Sequence, residues 1–167
     1  LGDSYRKTNN KLEAINAFRS ASLIDLNLDI QHDAFYQFAV LCYEQINPLY
    51  NTVQYLSDFL EKYPNSEHAD QIYTCLANTY LNTQNYDNAI DVLEKSNFLD
   101  KNIKNQYQKI CFHRGVQLYN DAMYNDAIIY FDKAISVGYV SELLYEAYYW
   151  KGESDFKLSN FKDALFS

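Results

Sequence analysis

Small residues recur along the chain at a nearly constant long interval, and apolar residues follow them at helical spacing. The first series is spaced by 37 or 38 residues and consists of Gly2, Ala39, Ala77, Gly115 and Gly152. The second series has the same spacing and consists of Ala14, Thr52, Ala89, Ala127 and Ala164. Two independent series with one period indicate an internal repeat, which is the sequence signature of a stacked array of supersecondary units.

Within each repeat the pattern predicts two helices joined by a short polar turn. After Ala127, for example, Phe131 and Ala134 follow at positions that place all three residues on one helix face. Pro64 and Gly138 are expected to end two of the second helices. The predicted helix pairs are 1–8 and 11–23, 31–46 and 49–62, 67–83 and 86–97, 103–121 and 124–136, and 141–158 and 161–167.

The segment 73–96 resembles a tetratricopeptide repeat, and the segments 1–22, 111–136 and 148–165 resemble further copies of it. This resemblance implies an all-α fold, a right-handed α-solenoid of about five antiparallel helix hairpins with a period of 37–38 residues. The whole chain, 1–167, is expected to form a single solenoid and to be a fragment of a longer repeat protein. The expected repeats lie near 1–28, 29–66, 67–102, 103–140 and 141–167.

Two basic residues depart from the pattern of the resembling family. Arg114 and Lys151 directly precede glycines of the first series, where the family commonly has leucine. We expect their alkyl stems to lie along the seam between helices while their charged groups stay in solvent. Lys151 and Asp155 are also four residues apart, a spacing that allows an ion pair along one helix.

Composition and charge exclude several classes of protein. With 4 Gly and 2 Pro, the chain has too few turn residues for an all-β sandwich. No apolar stretch is long enough to predict a membrane-spanning segment. The net charge of -8 makes the chain a poor ligand for phosphate backbones, so no nucleic-acid partner is expected. The odd number of widely spaced cysteines, Cys42, Cys75 and Cys111, favours buried thiols over disulfides.

The residues that could carry out catalysis or bind metal are few and scattered. His32, His68 and His113 lie far apart in the sequence, and none shows the spacing of a zinc site. The sequence has no glycine-rich phosphate loop and no nucleophile motif. The paired acids Glu142 and Glu146 lie at a predicted helix start, where they interact with the helix dipole. We therefore expect no enzymatic activity, no metal and no cofactor.

Recognition of a protein or peptide is the function that remains. In the resembling family, the first helix of each repeat lines a concave groove that binds extended or helical peptides. The matching positions of this chain, our candidate groove residues, are Tyr36, Val40, Tyr43, Thr74, Asn78, Leu81, Asn82, Phe112, Val116, Tyr119, Tyr149, Glu153 and Phe156. Aromatic anchors among adaptable side-chain amides suit such binding, and the acidic surface favours basic partners.

Two other readings of the sequence stay open. The chain could be a passive spacer of a larger envelope protein or a module that self-associates through the open ends of its solenoid. Enzymatic function would need chemistry outside these residues. The segment 59–80 contains the pattern F-L-x-x-Y-P-x-S and resembles repeats of bacterial cell-envelope proteins. That resemblance implies a bacterial protein of the periplasm or the outer-membrane periphery, with the cytoplasm as the alternative.

Overall fold

The computed structural model describes residues 1–25, 27–45, 50–96, 100–138, 140–160 and 164. Within these ranges the chain is all-α, with no strand. The helices in order are α1 (Gly2–Lys7), α2 (Lys11–Ser22), α3 (Leu28–Gln45), α4 (Thr52–Lys62), α5 (Ala69–Asn82), α6 (Tyr86–Glu94), α7 (Lys101–Asn120), α8 (Tyr124–Val137) and α9 (Ser141–Lys157). The all-α repeat fold expected from the sequence is therefore confirmed, and the predicted last helix, 161–167, falls almost wholly outside the described residues.

Polar side chains fix where several helices begin. Asn27 Oδ1 accepts hydrogen bonds from the backbone N–H groups of Asp29 and Ile30, at 3.0 and 3.1 Å. Asp100 caps α7 in the same way, accepting from the N–H groups of Asn102 and Ile103. Such caps satisfy backbone donors that have no partner within the helix.

The helix hairpins share one turn geometry. In four turns a non-glycine residue adopts a positive φ between 56° and 61°; these residues are Asn9, Gln84, Ala122 and Ser159. The next residue then donates its N–H to a carbonyl five positions earlier, as Met123 N–H does to Leu118 O at 2.9 Å. This repeated closure starts each second helix in the same register relative to the first. The second helix α8 ends at Gly138, whose φ of 58° gives the predicted left-handed cap.

The chain divides into two compact units, Leu1–Thr79 and Tyr80–Ser167. The expectation of a single solenoid over 1–167 stays a prediction. In the first unit, α2 packs against α1 and α3, and α3 packs against α4. Its core is built around Ile15, Phe18 and Phe38, with Cys42 fully buried among them.

In the second unit α7 packs against three other helices, α6, α8 and α9. Phe131 of α8 is fully buried and lies against Gly115 of α7. A Cβ atom at Gly115 would come within 2.6 Å of the Phe131 ring, which shows how closely the two helices approach. None of the helices in the described part of the chain combines the length and the apolar character needed to span a bilayer.

Candidate functional site

In the first unit, the candidate residues Tyr36, Val40 and Tyr43 of α3 are all half-buried. The Tyr36 hydroxyl donates a hydrogen bond to Gln71 Oε1 of α5 at 2.7 Å. One helical heptad further on, Asn78 Nδ2 of α5 donates to the Tyr43 hydroxyl at 3.4 Å. Both pairs join residues 35 positions apart, so α3 and α5 are held side by side by two equivalent tyrosine–amide contacts.

Tyr36 is further held by a group of rings and polar side chains. Its ring stacks on His68, with centroids 3.9 Å apart, and His68 in turn stacks on His32 at 5.8 Å. His32 Nε2 lies 2.8 Å from Ser66 Oγ, within hydrogen-bonding distance. Burial is the main cause that raises the pKa of Tyr36 above its ordinary value. The ring is therefore fixed in orientation while part of its surface stays accessible.

Thr74 is the candidate in α5 that turns back on its own helix. Its hydroxyl donates to the carbonyl oxygen of Asp70 at 2.9 Å. A hydroxyl engaged in this way offers its methyl group, rather than its donor, to neighbouring molecules.

In the second unit the structure corrects one candidate. Phe112 is only 6% exposed, and its ring lies 6.1 Å from that of Phe131. It is therefore a core residue, and we remove it from the candidate surface. The reason is that α7 is covered on three sides, which buries a wider arc than the sequence pattern suggested. Val116 and Tyr119, further along α7, are half-buried.

Tyr119 links α7 to α9 by an edge contact with Trp150, at a centroid distance of 5.1 Å. Beside Trp150, Tyr149 is 60% exposed, and Phe156 two turns later is 56% exposed. Glu153 is half-buried. Of the remaining candidates in this unit, Leu81 is half-buried and Asn82 is exposed.

The structure also shows a polar network that the sequence did not reveal. The Tyr107 hydroxyl and Lys133 Nζ both donate to Glu94 Oε1, at 2.7 and 3.2 Å. The hydrogen bond from Tyr107 is the largest cause that lowers the pKa of Glu94, with Lys133 adding to it and burial opposing it. Burial is also the main cause that raises the pKa of Tyr107. This network joins α6, α7 and α8.

Arg114 does not keep its charged group in solvent, so that expectation is wrong. Its Nη2 donates to Asp87 Oδ2 at 2.8 Å, its Nη1 donates to Gln117 Oε1, and its guanidinium lies 5.8 Å from the centroid of the Tyr130 ring. The Tyr130 hydroxyl donates to Asp87 Oδ1 at 3.1 Å. The departure of Arg114 from the family pattern was the one sequence signal for this contact.

Lys151 likewise has a partner that the sequence did not predict. Its Nζ donates to Asp132 Oδ1 of α8 at 2.6 Å, so the pair with Asp155 that the spacing allowed is replaced by a contact between helices. Asp155 itself is buried, and its Oδ2 atom has no hydrogen-bond partner among the described residues.

The three cysteines are free and buried, as the sequence predicted. Burial is the main cause that raises the pKa of each thiol, to about 11 for Cys42 and Cys75 and about 12 for Cys111. Thiols of this kind are poor nucleophiles and poor metal ligands. Among the described residues, no three His, Cys, Asp or Glu side chains come together as a metal-binding group.

Comparisons with known proteins agree with this architecture. Residues 33–66 and 70–102 each match a family model described as tetratricopeptide repeat. A crystal structure of MamA is similar with a TM-score of 0.57 at 19% identity, covering 99% of this chain and 88% of that chain. MamA AMB-1 is similar with a TM-score of 0.54 at 20% identity, covering 98% and 82%, and a MamA mutant with 0.53 at 24%, covering 98% and 86%. No curated protein sequence matches the chain.

Proposed function

The chain is a tetratricopeptide-repeat protein and a scaffold for protein–protein interaction, and we propose that it binds a segment of a partner protein on the exposed aromatic residues of its first helices. The proposed contact residues are Tyr36, Val40, Tyr43, Thr74, Asn78, Leu81, Asn82, Val116, Tyr119, Tyr149, Glu153 and Phe156. The fold is of a type that serves as a non-catalytic scaffold, and the absence of enzymatic activity is part of the proposal.

The observation that carries the proposal is the pair of tyrosine–amide contacts between α3 and α5. Tyr36 and Tyr43 are half-buried, and each is held by a side-chain amide of the neighbouring first helix. Aromatic side chains held in this way lose little further freedom on binding, which lowers the entropic cost of association. The exposed rings of Tyr149 and Phe156 offer large apolar area of the kind found at binding hot spots.

The test is to select peptides that bind the chain from a random library and to measure their affinity by fluorescence polarisation. Changing Tyr43 or Tyr149 to Ala should weaken binding about tenfold or more, which is the loss expected for an aromatic hot spot. Leu23→Ala provides the matched control, because Leu23 is an exposed apolar residue outside the proposed set.

Two results would contradict the proposal. Selected peptides could bind the tyrosine variants as tightly as the wild type, or Leu23→Ala could lower affinity as much as the tyrosine changes do. Circular dichroism melts of every variant establish that a loss of binding does not come from unfolding.

Self-association is a second candidate function, favoured by the exposed apolar residues between α2 and α3. Leu23 and Ile24 follow the end of α2, and Leu28 and Ile30 lie in the first turn of α3; all four are exposed. So many exposed apolar side chains within eight residues are typical of an interaction surface. A second copy of the chain could cover them.

Sedimentation velocity over a range of protein concentrations tests self-association. A concentration-dependent dimer is expected for the wild type, and Leu28→Ser together with Ile30→Ser should abolish it. Leu12→Ser, which also removes an exposed leucine but lies outside this surface, should leave the dimer intact. A monomer at every concentration would exclude this candidate.

A further inference from the structure

A second concave site lies in the unit Tyr80–Ser167, among α6, α7 and α8. It is a pocket of about 330 Å³ whose polar wall is formed by Asp87, Arg114, Tyr130 and Lys133. None of these four residues belongs to the proposed binding set, so the pocket is a separate surface. Its volume is at the lower end of the range for small-ligand sites and suits one long side chain of a partner.

The rim of the pocket is apolar and accessible. Met123 in the turn before α8 is 47% exposed, and Ile129 within α8 is 55% exposed. Both residues line the pocket, as does the buried Leu118. An alkyl chain that enters between Met123 and Ile129 would lose contact with water along most of its length, which is a favourable contribution to binding.

The charges of the pocket leave an excess of one negative charge. Arg114 is paired with Asp87, and Lys133 is paired with Glu94 behind the wall. The fifth charged group, Asp126, lines the pocket and has no ion pair among the described residues. The net charge of -8 for the whole chain adds to this local preference for a positive ligand.

We propose that this pocket binds an arginine or lysine side chain of a partner protein, together with an adjacent apolar residue. The alkyl stem of the basic side chain lies between Met123 and Ile129, and its charged group pairs with Asp126. A long basic side chain matches both features, because its stem is apolar and its end is charged. This inference goes beyond the proposed function, since it assigns a different surface and a different recognition chemistry.

The test uses the capped dipeptide acetyl-leucyl-arginine amide as the probe and follows backbone amide signals of the labelled chain by NMR. The probe should shift the signals of Met123, Asp126 and Ile129, with a dissociation constant of about 1–10 mM, as expected for so small a ligand. Its citrulline analogue, which has the same shape without the charge, should bind about fivefold more weakly at low salt, and high salt should remove the difference.

Variants of the chain separate the contributions of charge and apolar contact. Asp126→Asn should weaken binding of the arginine probe about fivefold and leave binding of the citrulline probe unchanged. Ile129→Ser should weaken binding of both probes. Glu142→Gln is the matched control, because Glu142 is also an acid in the first turn of a helix but lies outside the pocket.

Three outcomes would overturn the inference: equal binding of the arginine and citrulline probes, unchanged binding to Asp126→Asn, or signal shifts confined to the proposed first-helix set. Tyr43→Ala and Tyr149→Ala should not alter binding of the probe. A chain that binds no first-helix peptide but still binds the arginine probe would refute the proposed function alone.

Discussion

Two glycines of the repeat series show how a single missing Cβ sets the distance between helices. A Cβ at Gly2 would come within 2.7 Å of the Phe18 ring, and one at Gly115 within 2.6 Å of the Phe131 ring. In both hairpins the phenylalanine follows the glycine by 16 residues. The series was readable from the sequence because its period is regular, but the opposing ring became visible only when the two helices were packed together.

Changing Gly115 to Ala should lower the free energy of unfolding by about 1 kcal/mol, as measured by urea denaturation. Overpacking a fully buried ring costs about 1–3 kcal/mol, and the better helix propensity of alanine offsets only part of that cost.

The corresponding positions 16 residues apart in the preceding repeat are Ala77 and Leu93, which suggests a matched rescue variant. Adding Phe131→Leu to Gly115→Ala should cost less than the sum of the two single changes, because the smaller side chain makes room for the methyl group. A Gly115→Ala variant more stable than the wild type would show that the helices can separate without loss.

The pKa of Glu94 predicts a pH dependence of stability. Because hydrogen bonds from Tyr107 and Lys133 lower this pKa in the folded state, Glu94 stabilises the protein above the ordinary pKa of glutamate. That contribution is lost as the pH falls through the lowered value. Glu94→Gln should therefore lower the free energy of unfolding by about 0.5–1 kcal/mol at pH 7, the range for exposed charge pairs, and by much less at pH 3.

Urea titrations at the two pH values measure this difference. Glu142→Gln, which removes an acid without these partners, is the control and should show no comparable change between pH 7 and pH 3. An effect of Glu94→Gln that grows as the pH falls would contradict the assigned direction of the pKa shift.

At the scale of helices, the sequence predicted existence and order well and boundaries less well. The start predicted for the second first-helix was residue 31, whereas α3 begins at Leu28. The signal was present in Asn27, whose side chain caps two backbone N–H groups, but the apolar pattern alone does not identify a cap. The positive φ of the turn residues could not be predicted, because alanine and glutamine at two of these positions give no sequence signal for it.

The turn between α7 and α8 can be stabilised at Ala122, which has a φ of 58°. A left-handed conformation costs an L-residue about 1–2 kcal/mol, whereas glycine adopts it without strain but loses more entropy on folding. Ala122→Gly should therefore raise the free energy of unfolding by about 0.5–1 kcal/mol, measured by thermal or urea denaturation.

Gly138→Ala is the inverse control, because Gly138 has the same φ and would acquire the strain that Ala122 now bears. It should lower the free energy of unfolding by about 1 kcal/mol. Changes of the same sign in the two variants would show that local backbone strain does not determine the stability of these turns.

At the scale of the whole molecule, the repeat period predicted the fold but could not identify which side chains meet between repeats. The contacts Tyr36–Gln71 and Arg114–Asp87 join residues 35 and 27 positions apart, and neither Gln71 nor Asp87 belongs to any sequence motif. Phe112 was assigned to the wrong environment because the number of neighbours around α7 is a property of the packed unit. Periodicity places residues on a face, whereas burial depends on what covers that face.

The buried cysteines provide a test of packing in each unit by itself. Raised thiol pKa values of about 11 and 12 leave about a hundredfold less reactive thiolate at pH 8 than a free cysteine has, and burial blocks the reagent as well. Variants that keep only Cys42 or only Cys111 should therefore react with a disulfide reagent at least about a hundredfold more slowly when native than in concentrated guanidinium. Ser20→Cys, at an exposed position of α2, supplies a fast-reacting native control. Native labelling of Cys111 as fast as that control would show that the contacts of α7 with its neighbours open readily, and the same result for Cys42 would show it for the core of the first unit.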